Sequence, residues 1–300
     1  MNKLVFCCFI ICAVSITPLA RTPTDVVQHK PGPLVRDEVF RSSSLSRDMH
    51  YRVLLPAAYK AGGRFPVLYL LHGLYGDYMN WDTRTRLEEY AKTLNIIVIM
   101  PDSDDSWYTN SATVASDKFE DYIIKDLIAE VDGKFRTFRD RHARAIAGLS
   151  MGGYGSVKFG LKYPELFVFS GSLSGAFNAA QNLDTLRSDF RDRLLEVFGN
   201  TGSTTRTDND VFTLLNAPHS GPFPDFYLAC GTADFFLETN RSFAQQLSSR
   251  KLEYEYHETP GGHSWDYWDR ELRPLLRAVD HSLNLRMEDL GVTQKKLHSR

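Results

Sequence analysis

Disulfides hold little of this chain together. Of its four cysteines, Cys7, Cys8 and Cys12 crowd the N-terminus and only Cys230 lies beyond them. A chain trimmed of its N-terminus would keep one thiol and no internal disulfide, so its stability must come from a packed core. Neither sign of charge dominates, with 35 Lys and Arg against 37 Asp and Glu and a formal net charge of −2. That balance gives no electrostatic footprint for nucleic acid or for an anionic membrane surface. No apolar run is long enough to cross a bilayer as a helix. There is no internal repeat, which excludes solenoids and propellers. What remains is ordinary: 43% hydrophobic and 24% charged residues over 300 positions, as expected of one large globular domain.

The N-terminus reads as an export signal over residues 1–20. Lys3 gives a positive start, and Leu4 to Ile16 form an apolar core too short for a spanning helix. Cleavage after Ala20 fits, although Pro18 is a poor residue at the −3 position, and cleavage after Ser15 stays open. Cys12 raises the idea of a lipoprotein, but Phe9-Ile10-Ile11 lacks the small side chains such a site wants. A secreted or periplasmic protein without stable membrane insertion is the expectation. Residues 21–34, with three prolines, read as an extended arm, 35–284 as the domain, and 285–300 as a frayed, charged tail.

Within the domain, apolar runs alternate with helical patterns. Strands are expected at Val35–Leu45, Met49–Pro56, Phe65–Leu71, Ile96–Met100, Ala143–Leu149, Leu166–Leu173, Phe226–Cys230 and Tyr254–Thr259. Helices are expected at Thr83–Leu94, Lys118–Phe135, Gly152–Tyr163, Leu237–Arg250 and Trp265–Leu283. In the second of these, Phe119, Ile123, Leu127, Val131 and Phe135 recur every four residues, with Asp117 as the expected N-cap. The stretch from Ala176 to Pro224 is polar and only partly helical in pattern. Alternation of this kind predicts an α/β fold, a mostly parallel sheet with helices on both faces, whose reactive loops gather at the strands' carboxyl ends.

Gly148-Leu149-Ser150-Met151-Gly152 sits between an apolar strand pattern and a helical one. A serine on such a strand–turn–helix elbow projects its hydroxyl above the sheet, and flanking glycines let the backbone pass close by. A serine hydroxyl needs a base within hydrogen-bond reach. Asp234 follows one later strand and His263 the next, in the order nucleophile, acid, histidine. Asp234 has a second reading as a helix cap. The developing oxyanion needs backbone N–H donors; Met151 supplies one, and Leu74, in His72-Gly73-Leu74-Tyr75-Gly76-Asp77, is the choice for the other. Cys230 lies in an apolar run and reads as a buried, inert thiol. Asp102, Asp104 and Asp105 cluster, but their spacing matches no known calcium loop, and no metal is assigned.

With these residues in place, the chain resembles the "Putative esterase" family of α/β-hydrolases, from about Val53 to Val279. That family includes S-formylglutathione hydrolases, tributyrin-type esterases, feruloyl and acetylxylan esterases and mycolyltransferases. The resemblance rests on H-G-L-Y-G-D from His72, N-W at Asn80-Trp81, G-L-S-M-G-G-Y-G from Gly148, C-G-T-A-D-F-F from Cys230 and G-G-H-S-W-D-Y-W from Gly261. It implies an α/β-hydrolase domain without a large lid and without a metal or organic cofactor. By resemblance Ser150 is the nucleophile, Asp234 the acid, His263 the base, and Leu74 and Met151 the oxyanion donors.

The expected activity is hydrolysis of short-chain or carbohydrate-linked esters, with a small molecule or glycan ester as partner. Alternatives are acyl transfer to a sugar, an S-formylglutathione hydrolase-type thioesterase, or a non-catalytic binding relative. Tyr75, Trp81, Trp107, Tyr108, Phe177 and Trp265 are the aromatic candidates for a substrate pocket, against the plainer reading of loop packing. The oligomeric state is left open.

Overall fold

The computed structural model describes residues 30–289 apart from 182, 184–187 and 220. The expected signal segment, most of the arm and the last residues of the tail lie outside these. Eight strands form one sheet: β1 (Val35–Ser42), β2 (Arg47–Leu54), β3 (Val67–Leu71), β4 (Ile97–Pro101), β5 (Arg144–Leu149), β6 (Phe169–Leu173), β7 (Asp225–Gly231) and β8 (Tyr254–Thr259). Their spatial order is β1-β2-β4-β3-β5-β6-β7-β8. The β1–β2 hairpin and the β2–β4 pair are antiparallel, and all other neighbours are parallel. From β3 the chain first steps outward to β4, then returns to β5 on β3's other side. That reversal opens the crevice at the carboxyl ends where ligands bind in sheets of this kind.

Burial on both faces explains the continuous apolar runs. Every residue of β3, β4 and β5 is buried. Side chains alternate along a strand, so Leu68 and Leu70 join one core and Tyr69 and Leu71 the other. The first core is closed by α1 (Asn80–Arg84), α2 (Leu87–Ala91) and later by the terminal helix, through Trp81, Leu87, Leu272, Leu275 and Val279. On the opposite face lie α3 (Phe119–Asp121), a π-helical stretch over Tyr122–Leu127, α4 (Ile128–Lys134), and α5 (Met151–Lys162).

The polar stretch after β6 holds α6 (Ser188–Phe198), α7 (Thr204–Thr207) and α8 (Val211–Asn216), and α9 (Leu237–Ser249) follows β7. The terminal helix α10 (Trp265–Asp289) continues past the boundary expected at 284. Among the described residues no separate lid domain sits over the sheet.

Two expected helices differ in detail. The expected helix at 83–94 is instead two short ones, starting earlier at Asn80. Thr85 between them is extended, its hydroxyl turned back to the Trp81 carbonyl, and the Arg86 amide is bound by Asp269 at 2.7 Å. Along 118–135 the apolar residues recur every four positions, which in an α-helix rotates the stripe by about 40° per step. The wider π turn at its centre absorbs that drift, and all five stripe residues from Phe119 to Phe135 are buried. Asp117 does not cap this helix; Lys118 occupies the N-cap, without a side-chain bond.

Candidate active site

Ser150 sits at the turn between β5 and α5 with φ 53° and ψ −115°. A non-glycine residue there is strained, and such strain persists only where the surroundings fix it. The Ser150 amide donates to the Leu173 carbonyl at 2.9 Å, and its carbonyl accepts from Tyr154 and Ala176. The flanking glycines are required by space. A Cβ on Gly148 would lie 2.5 Å from the Gly152 carbonyl group, and one on Gly152 would lie 2.4 Å from the Leu71 oxygen. The G-x-S-x-G pattern is therefore the footprint of a backbone crossing in which β3, β5 and α5 nearly touch.

Three side chains meet at this turn. His263 Nε2 lies 2.9 Å from Ser150 Oγ, and its Nδ1 lies 2.9 Å from Asp234 Oδ2. With the ring proton on Nδ1, the imidazole donates to the carboxylate and accepts from the serine hydroxyl. Asp234 follows β7 and also accepts the Phe236 amide on Oδ1 at 2.8 Å. One oxygen thus orders the start of the helix that follows, and the other meets the histidine. Burial pushes the Asp234 carboxyl up, but hydrogen bonds from His263, the Phe236 amide and Ser174 outweigh it and leave the group below its usual value. Gly231 lets the histidine loop approach, since a Cβ there would lie 2.3 Å from the Gly261 oxygen. Phe235 packs against the imidazole at a tilt of 39° with ring centres 4.5 Å apart, and Trp268 meets it edge-on at 4.8 Å.

The loop after β3 passes beside this group. Met151 is the first residue of α5, and its N–H is one of the amides a helix start leaves without an intrahelical partner. Leu74 lines the same cleft as Ser150. Beneath the loop, His72 is buried, its Nδ1 2.8 Å from the Gly73 carbonyl and its Nε2 accepting the Ser103 amide at 3.1 Å. Burial lowers its proton affinity, and a ring nitrogen that accepts the Ser103 amide is one without a proton. Of the three clustered aspartates, Asp105 accepts the Tyr75 amide at 2.6 Å, Asp104 pairs with Arg47 and Asp102 lies 3.8 Å from His72.

A cleft of about 840 Å³ opens onto Ser150 and His263. Of the aromatic candidates, Tyr75, Trp107 and Trp265 line it. Trp81, Tyr108 and Phe177 do not; all three are buried. Trp81 donates to the Leu71 carbonyl, Tyr108 to the His72 carbonyl, and Phe177 packs at a tilt against Phe243 at 4.8 Å. Sequence reasoning missed Phe190, Phe235, Phe236 and Trp268, together with Arg84 and Asp266. Phe235 and Phe236 had a signal in their place directly after Asp234; Phe190 had none, coming from the polar stretch. Cys230 is fully buried, and burial, then the nearby Asp234 charge, push its thiol up to about 12.

Residues 42–279 match the model of the family described as "Putative esterase". The chain belongs to that family. An acetyl esterase of Caldicellulosiruptor saccharolyticus is 32% identical over 211 residues, which cover 68% of this chain and 79% of the relative. An esterase of Mycobacterium tuberculosis is 30% identical over 254 residues, but the chain spans only 54% of its length. Among solved structures, the substrate-bound fluorophosphonate-binding serine hydrolase F of Staphylococcus aureus superposes with a TM-score of 0.74 at 30% identity, covering 83% of this chain and 98% of that one. An S-formylglutathione hydrolase of the same organism gives 0.72 at 29% identity over the same shares. The fold is that of the α/β-hydrolases, and this esterase is a serine carboxylic ester hydrolase with no large lid domain among the described residues.

Proposed function

We propose that Ser150, His263 and Asp234 form the catalytic triad of a carboxylesterase acting on short-chain esters through an acyl-enzyme. Ser150 Oγ attacks the ester carbonyl while His263 Nε2 takes its proton, forming the C–O bond of a tetrahedral intermediate. The amides of Leu74 and Met151 hold its oxyanion. His263 then returns the proton to the alcohol as the ester C–O bond breaks, and a water, deprotonated by the same imidazole, releases the acid and restores Ser150. Asp234 keeps the ring in the required tautomer and offsets its positive charge.

The observation that carries this reading is the unbroken run of hydrogen bonds from Asp234 through His263 to Ser150, opening onto an aromatic cleft. The acetyl esterase relative supports a short acyl group. Sugar esters remain within the proposal as alcohol parts. Export is part of it too, resting on residues 1–20. A fluorophosphonate probe labels the parent protein on Ser150 and spares Ser150→Ala, which loses p-nitrophenyl acetate cleavage by about 10³-fold or more while still folding. Unchanged cleavage by Ser150→Ala, or labelling elsewhere, overturns the assignment.

A further inference from the structure

Arg84 ends α1 and lines the cleft, its guanidinium carbon 5.7 Å from the centre of the Trp265 ring. That indole is itself fixed edge-on between Trp81 at 5.9 Å and Trp268 at 5.2 Å. A guanidinium over an aromatic face keeps its edge of N–H donors free for a planar anion. Phe190, Trp107 and Phe235 add aromatic lining to the same cleft, alongside the polar Asn80 and Ser264.

What sets Arg84 apart is its lack of an acceptor. Among the described residues it is the one half-buried or buried arginine with neither an ion pair nor a hydrogen bond. Arg52 has Asp37 and Asp82, Arg144 has Asp132, and Arg286 has Asp225. Arg141 and Arg206 donate to backbone carbonyls, and Arg191 and Arg193 face neighbouring carboxylates. Partly desolvating a charge without an acceptor is unfavourable, and an anionic ligand at this position relieves it. Asp266 also lines the cleft, but it is exposed and forms no ion pair with Arg84. Water and salt screen its field more than that of the half-buried cation.

We infer that Arg84 is an anion-binding subsite of the cleft, and that the favoured ester carries a carboxylate on its acyl or alcohol part. This rests on the hydrolase reading above and adds the chemical class of its substrate. Two matched pairs separate the sources of the anion. p-Nitrophenyl hemisuccinate against p-nitrophenyl butyrate places the charge on the acyl part, and 3-acetoxybenzoate against phenyl acetate places it on the alcohol part.

The parent favours the charged member of one pair by about tenfold or more in kcat/KM, the scale of a charged hydrogen bond. Arg84→Gln brings that ratio to within about twofold of parity, and Arg84→Glu inverts it. A variant that folds poorly loses both members of a pair together and leaves the ratio alone. In the parent itself, raising ionic strength from about 0.02 M to about 0.5 M shrinks the preference. The inference is overturned if neither charged ester is preferred, if the preference survives Arg84→Gln, or if a choline ester outperforms all four through Asp266. Failure of the probe to label Ser150 would instead sink the proposed triad.

Discussion

Lys158 Nζ donates to the backbone carbonyl of Tyr108 across 2.6 Å, tying the helix that begins after Ser150 to the loop behind it. Trp107 and Tyr108 both have left-handed backbones, with φ 55° and 53°. Each costs about 1–2 kcal/mol without support. The buried ammonium, also bound to Thr109 Oγ1 and Glu120, supplies that support. Held this way, Trp107 walls the cleft and the Tyr108 hydroxyl donates to the His72 carbonyl at 2.9 Å, steadying the loop that carries Leu74.

Tyr108→Phe removes that one hydrogen bond and little volume. It leaves the His72 carbonyl without this buried donor, at a cost of about 1–3 kcal/mol. If the loop positions an oxyanion donor, kcat for p-nitrophenyl acetate falls by about tenfold with KM changed far less. Steady-state kinetics beside a thermal melt decide it. An unchanged kcat with a lowered Tm would reduce Tyr108 to a packing role.

Acid weakens the same region in two steps. Burial pushes the Glu120 carboxyl up, but Lys158, Lys162 and the Tyr163 hydroxyl around it win and hold it down to about 2. Its folded value lies below its unfolded one, so its stabilisation is complete above about pH 4.5 and is lost as pH falls toward 2. His72, a base held neutral by burial, begins to weaken the fold earlier, as the unfolded chain takes up a proton below about pH 6.5. Glu120→Gln leaves Lys158 buried without its counter-ion and destabilises by about 3–5 kcal/mol at pH 7. The gap to the parent narrows on titration toward pH 3. Urea unfolding at several pH values measures it, and a constant gap would refute the assignment.

Asp234→Asn keeps the shape of the acid but can donate to His263 Nδ1 rather than accept from it. The ring then holds its proton on Nε2, facing Ser150, and cannot act as base. The expected loss in kcat is about 10⁴-fold with the melting temperature little changed. A loss of less than about tenfold would remove Asp234 from the catalytic group.

Much of this site could be read before the fold. The elbow glycines mark a backbone crossing that forbids Cβ atoms, and that exclusion is written directly into the residue type. Asp234 and His263 were legible because each closes a strand-like run, and a parallel sheet brings all such ends to one edge. The pocket walls were harder, because loop position does not say where a side chain points. Trp107, Tyr108 and Phe177 all follow strands and all three are buried, yet of these Trp107 alone also reaches the cleft. Phe190 lies on α6, where a polar segment packs its few aromatic residues against Trp107 rather than against the sheet, so no strand-like run announces it. Arg84 had no signal in the sequence, because the lack of an ion pair or hydrogen bond on its guanidinium depends on which side chains the fold brings around it. The π turn, by contrast, had a signal in the four-residue spacing of Phe119, Ile123, Leu127, Val131 and Phe135.

Counting thiols tests the proposed export. Cys230 is the one cysteine among the described residues, and its burial keeps the thiolate scarce at pH 8. The native chain therefore leaves an alkylating reagent unconsumed at this site over minutes. After denaturation in urea under reducing conditions, removal of residues 1–20 leaves a single reactive thiol, since Cys7, Cys8 and Cys12 depart with them. A chain that keeps its N-terminus shows all four. Mass spectrometry of alkylated protein recovered outside the cytoplasm reads both the count and the new N-terminus. Four labelled cysteines on the functional enzyme would overturn cleavable export, and rapid labelling of the folded protein would contradict the buried position of Cys230.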